Sequence, residues 1–368
     1  MKKLLLLAAV AMAFGASAQT LTLDWKQDIS SHPAFNTRQG VGINGKIYVN
    51  DASTQEVWVY SATGKENTPL PGGLHTAMNT DEAGNLIIST SSAFPGVWRT
   101  DTVCFKVYNP ATPDVCHYIT LPFTEMGPGR ADALGKAIGD MTDNGVLYFS
   151  GNASIGIHKL VIVEGVASED ESYVASADVT VNNTQLVYNP FVENNVEKLL
   201  YVNRSMTPIV LIPNPENTDN FITERSITCP SKGNSQGAEI FVLGNDEYII
   251  YPAKTEKALG TNYLDAFAIA KVGDDVYTVV KEEELAAAPN GSQTNWLNVE
   301  VVDEYTAKIY QTLPGAYCAQ YTFSLPHEGT GISDVTAKKA EVKKVIENGQ
   351  IYIINGDAKY NVMGAQVK

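Results

Sequence analysis

The feature that most constrains the fold is a repeated series of short apolar segments separated by turn residues, first seen in residues 38–71. There, GVGI is followed by Asn44-Gly45 and KIYVN, and EVWVYSA then leads to a second turn at Gly64-Lys65. Asn-Gly between apolar segments favours a hairpin, because both turn residues adopt positive φ. Similar units recur about every fifty residues, as expected for a repeat architecture. Their second strands begin near Ile47, Leu86, Leu147, Leu200, Tyr248 and Ile309.

This recurrence predicts an all-β fold, a β-propeller of six blades with four strands each. A pair of β-sandwiches is the competing arrangement, but six tandem hairpin pairs do not divide naturally into two Greek keys. The last blade has only three strand patterns before the composition changes at His327, whereas Thr20–Ile29 alternates apolar and polar residues and has no hairpin partner. We therefore predict that Thr20–Ile29 pairs with the strand around Tyr317–Ser324 and closes the ring, which removes an exposed edge.

The beginning of the chain has the pattern of a secretory signal peptide. Lys2-Lys3 precede an apolar run, Leu4–Phe14, and Ala16-Ser17-Ala18 has the small-residue pattern of a cleavage site. The run is too short to span a bilayer, and we predict no transmembrane segment. The expected organisation is a signal peptide (1–18), a propeller (19–326) and a linker with a tail (327–368). The protein is predicted to be exported to the periplasm, the cell surface or the medium.

The tail carries its own strand patterns. QIYIIN and KYNVMGAQVK predict a small C-terminal β-hairpin after a Lys-rich stretch. Gly349–Ile353, Tyr360–Gly364 and the terminal Val367-Lys368 resemble the C-terminal sorting segments of the type IX secretion system of Bacteroidota. That resemblance covers about forty residues, and it implies the export machinery as a partner. The remainder resembles the uncharacterised secreted propellers of the same bacteria.

Charge and motifs exclude several functions. The formal net charge is −15, which disfavours binding to phosphate backbones, and we predict no nucleic-acid partner. The chain has no G-x-S-x-G, H-E-x-x-H, Walker or EF-hand motif. It also lacks C-x-x-C, and its five histidines are scattered, so we predict no metal site and no cofactor.

Propellers bind ligands at the mouth of the central channel, and we predict a site on the face that carries the loops entering each blade and the loops between second and third strands. The candidate ligand-binding residues are Arg38, His75, Trp98, Arg130, Asp132, Arg204, Gln236 and Trp296. Structural alternatives remain open: Arg38 and Arg204 could be paired surface charges, His75 could be a hydrogen-bonded structural residue, and Trp296 could pack between blades. Trp98 could stack on a sugar ring or hold its own loop down.

Three functions are consistent with these features. The first is noncatalytic binding of a glycan or peptide at the channel mouth. The second is a protein-interaction scaffold at the cell surface, with a protein ligand. The third is a propeller hydrolase or lyase acting on polysaccharide, which would need two carboxylates to converge across blades. The carboxylates considered for such a pair are Asp51, Asp132, Asp140 and Glu239.

The cysteines allow one disulfide prediction. Cys104 and Cys116 bracket CFKVYNPATPDVC, and Pro110 lies near the midpoint. If a hairpin turned at Pro110, the two cysteines would face each other across its strands, and an oxidising compartment would allow a bridge. On the basis of this geometry, we predict a disulfide between Cys104 and Cys116.

Overall fold

The fold is taken from a computed structural model of the chain. The residues that the structure describes are 19–33, 37, 39–73, 77–89, 102–122, 134–149, 156–167, 171–174, 187–193, 196–202, 208–217, 220–227, 237–253, 266–272, 277–284, 295–326, 342–347, 350–355, 358–361 and 366–367.

All regular structure in these residues is β, and none is helical. Six antiparallel sheets form the blades of a six-bladed propeller, which confirms the predicted fold. Within each blade the first strand is the inner one, next to the channel, and the following strands lie progressively further out. No helix among the described residues is long and apolar enough to cross a membrane.

The strand bounds follow the predicted repeat. Blade one contains Gly40–Ile43, Lys46–Asp51, Glu56–Ser61 and, in fourth position, the short strands Gly64–Lys65 and Leu70–Pro71. Blade two contains Met78–Thr80, Leu86–Ser89, Thr102–Tyr108 and His117–Pro122. Blade three contains Ile138–Gly139, Gly145–Phe149, Gly156–Val163 and the two short strands Val166–Ala167 and Glu171–Val174. Blade four contains Val187–Glu193, Val196–Val202, Ile209–Pro213 and Phe221–Ser226. Blade five contains Glu239–Leu243, Asp246–Ala253, Ala266–Val272 and Tyr277–Glu284, and blade six contains Trp296–Asp303, Thr306–Leu313, Tyr317–Ser324 and Thr20–Asp28.

The N-terminal strand closes the ring as predicted. Thr20–Asp28 pairs antiparallel with the third strand of blade six, so that Thr20 lies opposite Ser324 and Asp28 opposite Tyr317. The indole of Trp25 donates to Gln320 Oε1 at 3.2 Å, which fixes the closing strand through a side chain as well. The outer edge of blade six is thereby covered by the first strand of the chain.

Large side chains fill the spaces between neighbouring blades. Between blades five and six, for example, one buried cluster includes Phe241, Tyr248, Phe267, Leu297 and Phe323. Such packing makes each blade depend on the next for the burial of its apolar faces, which explains why closure of the ring matters.

The predicted Asn-Gly turn is confirmed by its backbone. Asn44 has φ 51° and Gly45 has φ 75°, the left-handed values that a two-residue hairpin turn requires. This turn ends the inner strand of blade one at the channel.

A second compact unit begins after Leu325 and comprises the tail from Pro326 onward. Its strands are Val342–Glu347, Gln350–Asn355, Ala358–Asn361 and Gln366–Val367, paired antiparallel in that order. The tail is therefore a four-stranded meander and not the single hairpin that was predicted. The prediction assigned no strand to the Lys-rich stretch, whereas Val342–Glu347, at its end, adds a strand to the sheet, with Val345 opposite Tyr352 and Ile346 opposite Ile351.

The predicted Cys104–Cys116 disulfide is not formed, and its geometric basis was wrong. His117 lies opposite Val107, so the hairpin is centred on Thr112 and not on Pro110. Asn109 caps a wider turn, with its side chain accepting from Ala111 N (2.9 Å). Cys104 consequently lies opposite Thr120, four residues from Cys116 along the strand.

Candidate functional site

The candidate site is a cavity of about 610 Å³ in the central channel, which we call the channel pocket. The pocket extends towards one face of the propeller. This face carries the turns that join the first to the second strand and the third to the fourth strand of each blade, and we call it the turn face. The pocket is lined by Gly42, Ile43, Asn44, Thr80, Asp81, Glu82, Ala83, Gly84, Lys136, Pro190, Glu239, Ile240, Phe241, Val242, Val299, Glu300 and Val301.

The side chain of Lys136 crosses the channel. It lies just before the inner strand of blade three, and its backbone N–H donates to Asn189 Oδ1 of blade four (3.1 Å). Its ammonium group donates to Glu239 Oε1 of blade five and to the carbonyl oxygen of Val299 of blade six, both at 2.9 Å. In a ring of six, blades three and six stand opposite each other, so this side chain connects opposite walls. The other oxygen of Glu239 accepts from the Val299 N–H at 2.9 Å, which fixes the carboxylate.

Glu300 stands where blades six and one meet. Its Oε2 accepts from the Asn44 N–H at 3.0 Å and from the hydroxyl of Tyr310. The Gly45 N–H donates to the same hydroxyl at 2.8 Å. Burial, together with the neighbouring Glu300 carboxylate, raises the pKa of Tyr310, so the phenol stays protonated and remains a donor.

Asp81 and Glu82 supply the carboxylates of blade two. Asp81 is buried and accepts three hydrogen bonds at 2.8 Å, from Asn85 N, Asn85 Nδ2 and Met141 N. Burial outweighs these bonds and raises the pKa of Asp81 above its usual value. Glu82 is exposed, and its Oε2 accepts from the Gly139 N–H at 2.8 Å. Both side chains therefore also join blade two to blade three.

The pocket has two chemically different walls. Four lining residues are acidic, Asp81, Glu82, Glu239 and Glu300, and one, Lys136, is basic. The apolar wall comes from blades five and six, where Val242 is 53% and Val301 47% exposed. Because an ionised carboxylate can only accept hydrogen bonds, this arrangement suits a ligand that offers N–H or O–H donors beside an apolar surface.

Seven of the eight predicted ligand-binding residues lie outside the described residues: Arg38, His75, Trp98, Arg130, Asp132, Arg204 and Gln236. The eighth, Trp296, is 3% exposed and packs in a buried cluster with Ala238, Ile240 and Tyr251. Trp296 is therefore a core residue between blades, and the prediction that it contacts a ligand was wrong. Its large indole packs against the neighbouring sheet, although its Nε1–H makes no hydrogen bond within the described residues.

Sequence reasoning missed the turn face. The prediction placed the site on the opposite face, whereas the channel pocket is built by the ends of the inner strands and the turns that follow them. Ala83-Gly84-Asn85 was interpreted only as a turn. A usable signal was present, since each turn after an inner strand lies beside the channel once a propeller is predicted.

The carboxylates considered for a hydrolase belong to separate networks. Asp51 Oδ2 lies 3.1 Å from His32 Nδ1, and Asp51 Oδ1 accepts from Ser53. Asp140 accepts from Asn85 and Thr142. Glu239 pairs with Lys136, as described above, and Asp132 lies outside the described residues. Among the residues that the structure describes, no group of three or more His, Cys, Asp or Glu is arranged to hold a metal ion.

Comparison with known proteins identifies the fold alone. No protein-family model and no curated protein matches the chain. A DUF4623 family protein from Bacteroides eggerthii is similar in structure, with a TM-score of 0.59 and 11% identity over 84% of this chain and 77% of that one. Trypanosoma rangeli sialidase, solved with sialic acid, has a TM-score of 0.48 and 8% identity over 83% of this chain and 59% of that one. A subtype N10 neuraminidase-like protein of A/little yellow-shouldered bat/Guatemala/060/2010 has a TM-score of 0.47 and 11% identity over 83% of this chain and 99% of that one. The similarity to the Bacteroides protein supports the propeller fold. Sequence identities this low support no conclusion about ligands.

Proposed function

We propose that the protein is an exported, noncatalytic binding protein that holds a short stretch of glycan or peptide in the channel pocket. The observation that carries this proposal is the pocket itself, about 610 Å³ and lined by residues from all six blades. Ligand sites generally have volumes of about 300–1,000 Å³, with apolar walls and a few polar groups that fix orientation. The N-terminal pattern of a signal peptide and the tail's resemblance to sorting segments support export.

The hydrogen bonding of the carboxylates supports binding over catalysis. Glu239 uses both oxygens, one for Lys136 and one for Val299 N. Asp81 Oδ1 accepts from Asn85 N, and Asp81 Oδ2 accepts from Asn85 Nδ2 and Met141 N. A glycosidase needs one carboxyl group to protonate the leaving oxygen and a second to act as base or nucleophile. Carboxylates tied into the framework in this way act better as fixed acceptors for a ligand.

Occluding the pocket tests this proposal. Ala83 is exposed on the turn face and lines the pocket, so Ala83→Trp should fill part of it. Ala62→Trp is the matched control. Ala62 is also an exposed turn residue, between the third and fourth strands of blade one, but it does not line the pocket. Ligands found with glycan and peptide arrays should bind the parent and the Ala62→Trp variant alike, measured by isothermal titration calorimetry. They should bind the Ala83→Trp variant at least about tenfold more weakly, a loss of 1.4 kcal/mol or more.

The outcome also distinguishes the two faces. If Ala83→Trp leaves affinity unchanged and Trp98→Ala or Arg130→Ala abolishes it, the ligand enters at the opposite mouth and the channel pocket is not the site. If every variant turns over a polysaccharide, the protein is an enzyme and the noncatalytic proposal fails.

A further inference from the structure

Of the nine exposed large apolar side chains of the described residues, eight lie on the turn face, in one of its turns or near the end of a strand next to it. The ninth, Leu23, lies near the middle of the closing strand, opposite Tyr321. The eight are Val115, Tyr118, Val163, Val166, Val196, Val242, Val301 and Val302, with exposures between 46% and 68%. Val242 and Val301 line the channel pocket, so the apolar surface continues from the pocket wall onto the face. Exposed apolar surface that adjoins a pocket is typical of an interaction site.

The same face is acidic. Among the described residues of its turns, eight are acidic and none is Lys or Arg. The acidic residues are Asp81, Glu82, Asp114, Asp140, Asp143, Glu164, Glu216 and Glu304. A surface with this charge attracts cationic partners and repels anionic ones.

Three of the lysines that flank these turns do not offset this charge, because each is paired with a carboxylate. Lys46 donates to Glu66 at 2.7 Å, Lys271 to Asp246 at 2.6 Å and Lys308 to Asp24 at 2.9 Å. Lys65, which follows the Ala62-Thr63 turn, is exposed and lies over the ring of Trp58. Within the pocket, four acidic residues face one lysine, which leaves a formal charge of −3. Lys136, the lysine in question, is itself bound to Glu239.

We propose that the turn face docks a basic, partly apolar segment of polypeptide, and that one of its Lys or Arg side chains enters the channel pocket. This proposal rests on the proposed function and specifies the ligand as cationic peptide. A neutral glycan could use the acceptors but gains nothing from the net charge, and an anionic glycan or phosphate is repelled by it. The apolar positions extend from blade two, at Val115 and Tyr118, to blade six, at Val301 and Val302, which is more surface than a small amine could contact. An extended segment that alternates basic and apolar residues matches both properties.

The test uses three fluorescein-labelled peptides on the full chain. The first is a twelve-residue peptide built from the repeat Lys-Val-Thr, the second replaces each Lys by Gln, and the third replaces each Lys by Glu. Fluorescence anisotropy should show binding of the Lys peptide, binding at least about tenfold weaker for the Gln peptide, and none for the Glu peptide. Raising the salt concentration from about 50 to 500 mM should weaken the binding of the Lys peptide several-fold, because salt screens exposed charges.

Three variants locate the interaction. Glu82→Gln keeps a side-chain acceptor for the Gly139 N–H but removes the negative charge. This variant should therefore bind the Lys peptide several-fold more weakly. Val301→Ser should do the same by removing apolar contact. Asp28→Asn is the control, because Asp28 is exposed at the end of the closing strand away from the turn face, and it should leave affinity unchanged. Thermal melts of all three variants separate loss of binding from loss of folding.

The results separate this inference from the proposed function. Equal binding of the Lys and Gln peptides, unaffected by salt or by Glu82→Gln, would overturn the cationic specificity while leaving a peptide site in place. Binding of a neutral glycan that Ala83→Trp abolishes, with no binding of the Lys peptide, would likewise overturn this inference alone. Absence of binding by every peptide and glycan would remove both proposals.

Discussion

Gly42 packs directly against the ring of Tyr310, where blade one meets blade six. A Cβ atom built on Gly42 would lie 1.9 Å from Tyr310 Cγ, far inside any allowed contact. Gly40, two residues earlier, packs against Thr312 in the same way. A Cβ atom built on Gly40 would lie 2.1 Å from the hydroxyl oxygen of Thr312. The first and last blades therefore approach so closely that the inner strand of blade one has no room for side chains on that side. This close approach also brings Asn44 and Gly45 to Glu300 and Tyr310 at the pocket.

Substituting Gly42 by Ala should destabilise the ring. The added methyl group must displace the buried ring of Tyr310, and overpacking of this kind costs about 1–3 kcal/mol. Urea unfolding of the parent and the variant measures the difference. In the double variant Gly42→Ala, Tyr310→Leu the two costs should be less than additive, because the smaller side chain makes room for the methyl group. Full additivity would show that the two residues are not coupled.

Removing the closing strand should open the propeller. Deletion of Thr20–Asp28 exposes the edge of Tyr317–Ser324 and removes the largely buried Trp25, whose loss alone should cost about 3–5 kcal/mol. The melting temperature should fall by about 10 °C, since each kcal/mol corresponds to about 2–4 °C in a domain of about 150–250 residues. A synthetic peptide with residues 20–28 should restore part of the loss when added in trans. A deleted protein that melts like the parent would refute the role of this strand in closure.

The contact between His32 and Asp51 should make the stability of the fold sensitive to acid where the closing strand leads into blade one. His32 follows the closing strand, and its ring contacts the carboxylate of Asp51 at 3.1 Å and the hydroxyl of Tyr60 at 2.8 Å, both in blade one. Burial opposes ionisation of Asp51, but hydrogen bonds from Ser53 and His32 outweigh it and hold its pKa below the usual value. Since the folded-state pKa is lowered, Asp51 stabilises the fold above its unfolded pKa of about 4, and this contribution disappears as the pH falls through the folded value.

Asp51→Asn should therefore destabilise the protein at pH 7 by about 1–3 kcal/mol, the usual cost of losing a hydrogen bond to a charged group. The difference from the parent should shrink below about pH 4, where the parent carboxylate is also being protonated. Thermal melts across pH 2–7 measure this, with Asp114→Asn, at an exposed turn residue of blade two, as the control. A difference that stays constant over the whole range would show that charge on Asp51 does not contribute.

Removing residues 327–368 should leave the propeller folded. The chain divides between Leu325 and Pro326 into two compact units, and the four tail strands pair only with one another among the described residues. The truncated protein should melt at the parent temperature and bind the same ligand with the same affinity. Its distribution between cells and medium in the native host should change if the tail directs sorting. Unfolding on truncation would show that the propeller depends on the tail, and an unchanged distribution would refute sorting.

The amino-acid sequence by itself determined the repeat, the blade number and the closure of the ring. Asn44-Gly45 specified its hairpin because the φ preferences of two adjacent residues decide such a turn. The pairing of Thr20–Asp28 with Tyr317–Ser324 followed from counting strands, since the last blade lacked one and an exposed edge is unfavourable.

Tertiary structure decided the features that depend on register or on residues far apart in the chain. Cys104 lies opposite Thr120 because Asn109 widens the turn, a displacement of two residues in the hairpin centre that composition does not reveal. Trp296 is buried because blade five covers it, which no local pattern specifies. Lys136 and Glu239 are 103 residues apart, and only the circular arrangement of blades brings them together at 2.9 Å. Local preferences act over a few residues, whereas a channel pocket is assembled by the packing of whole sheets, and the candidate site therefore became visible only in the folded protein.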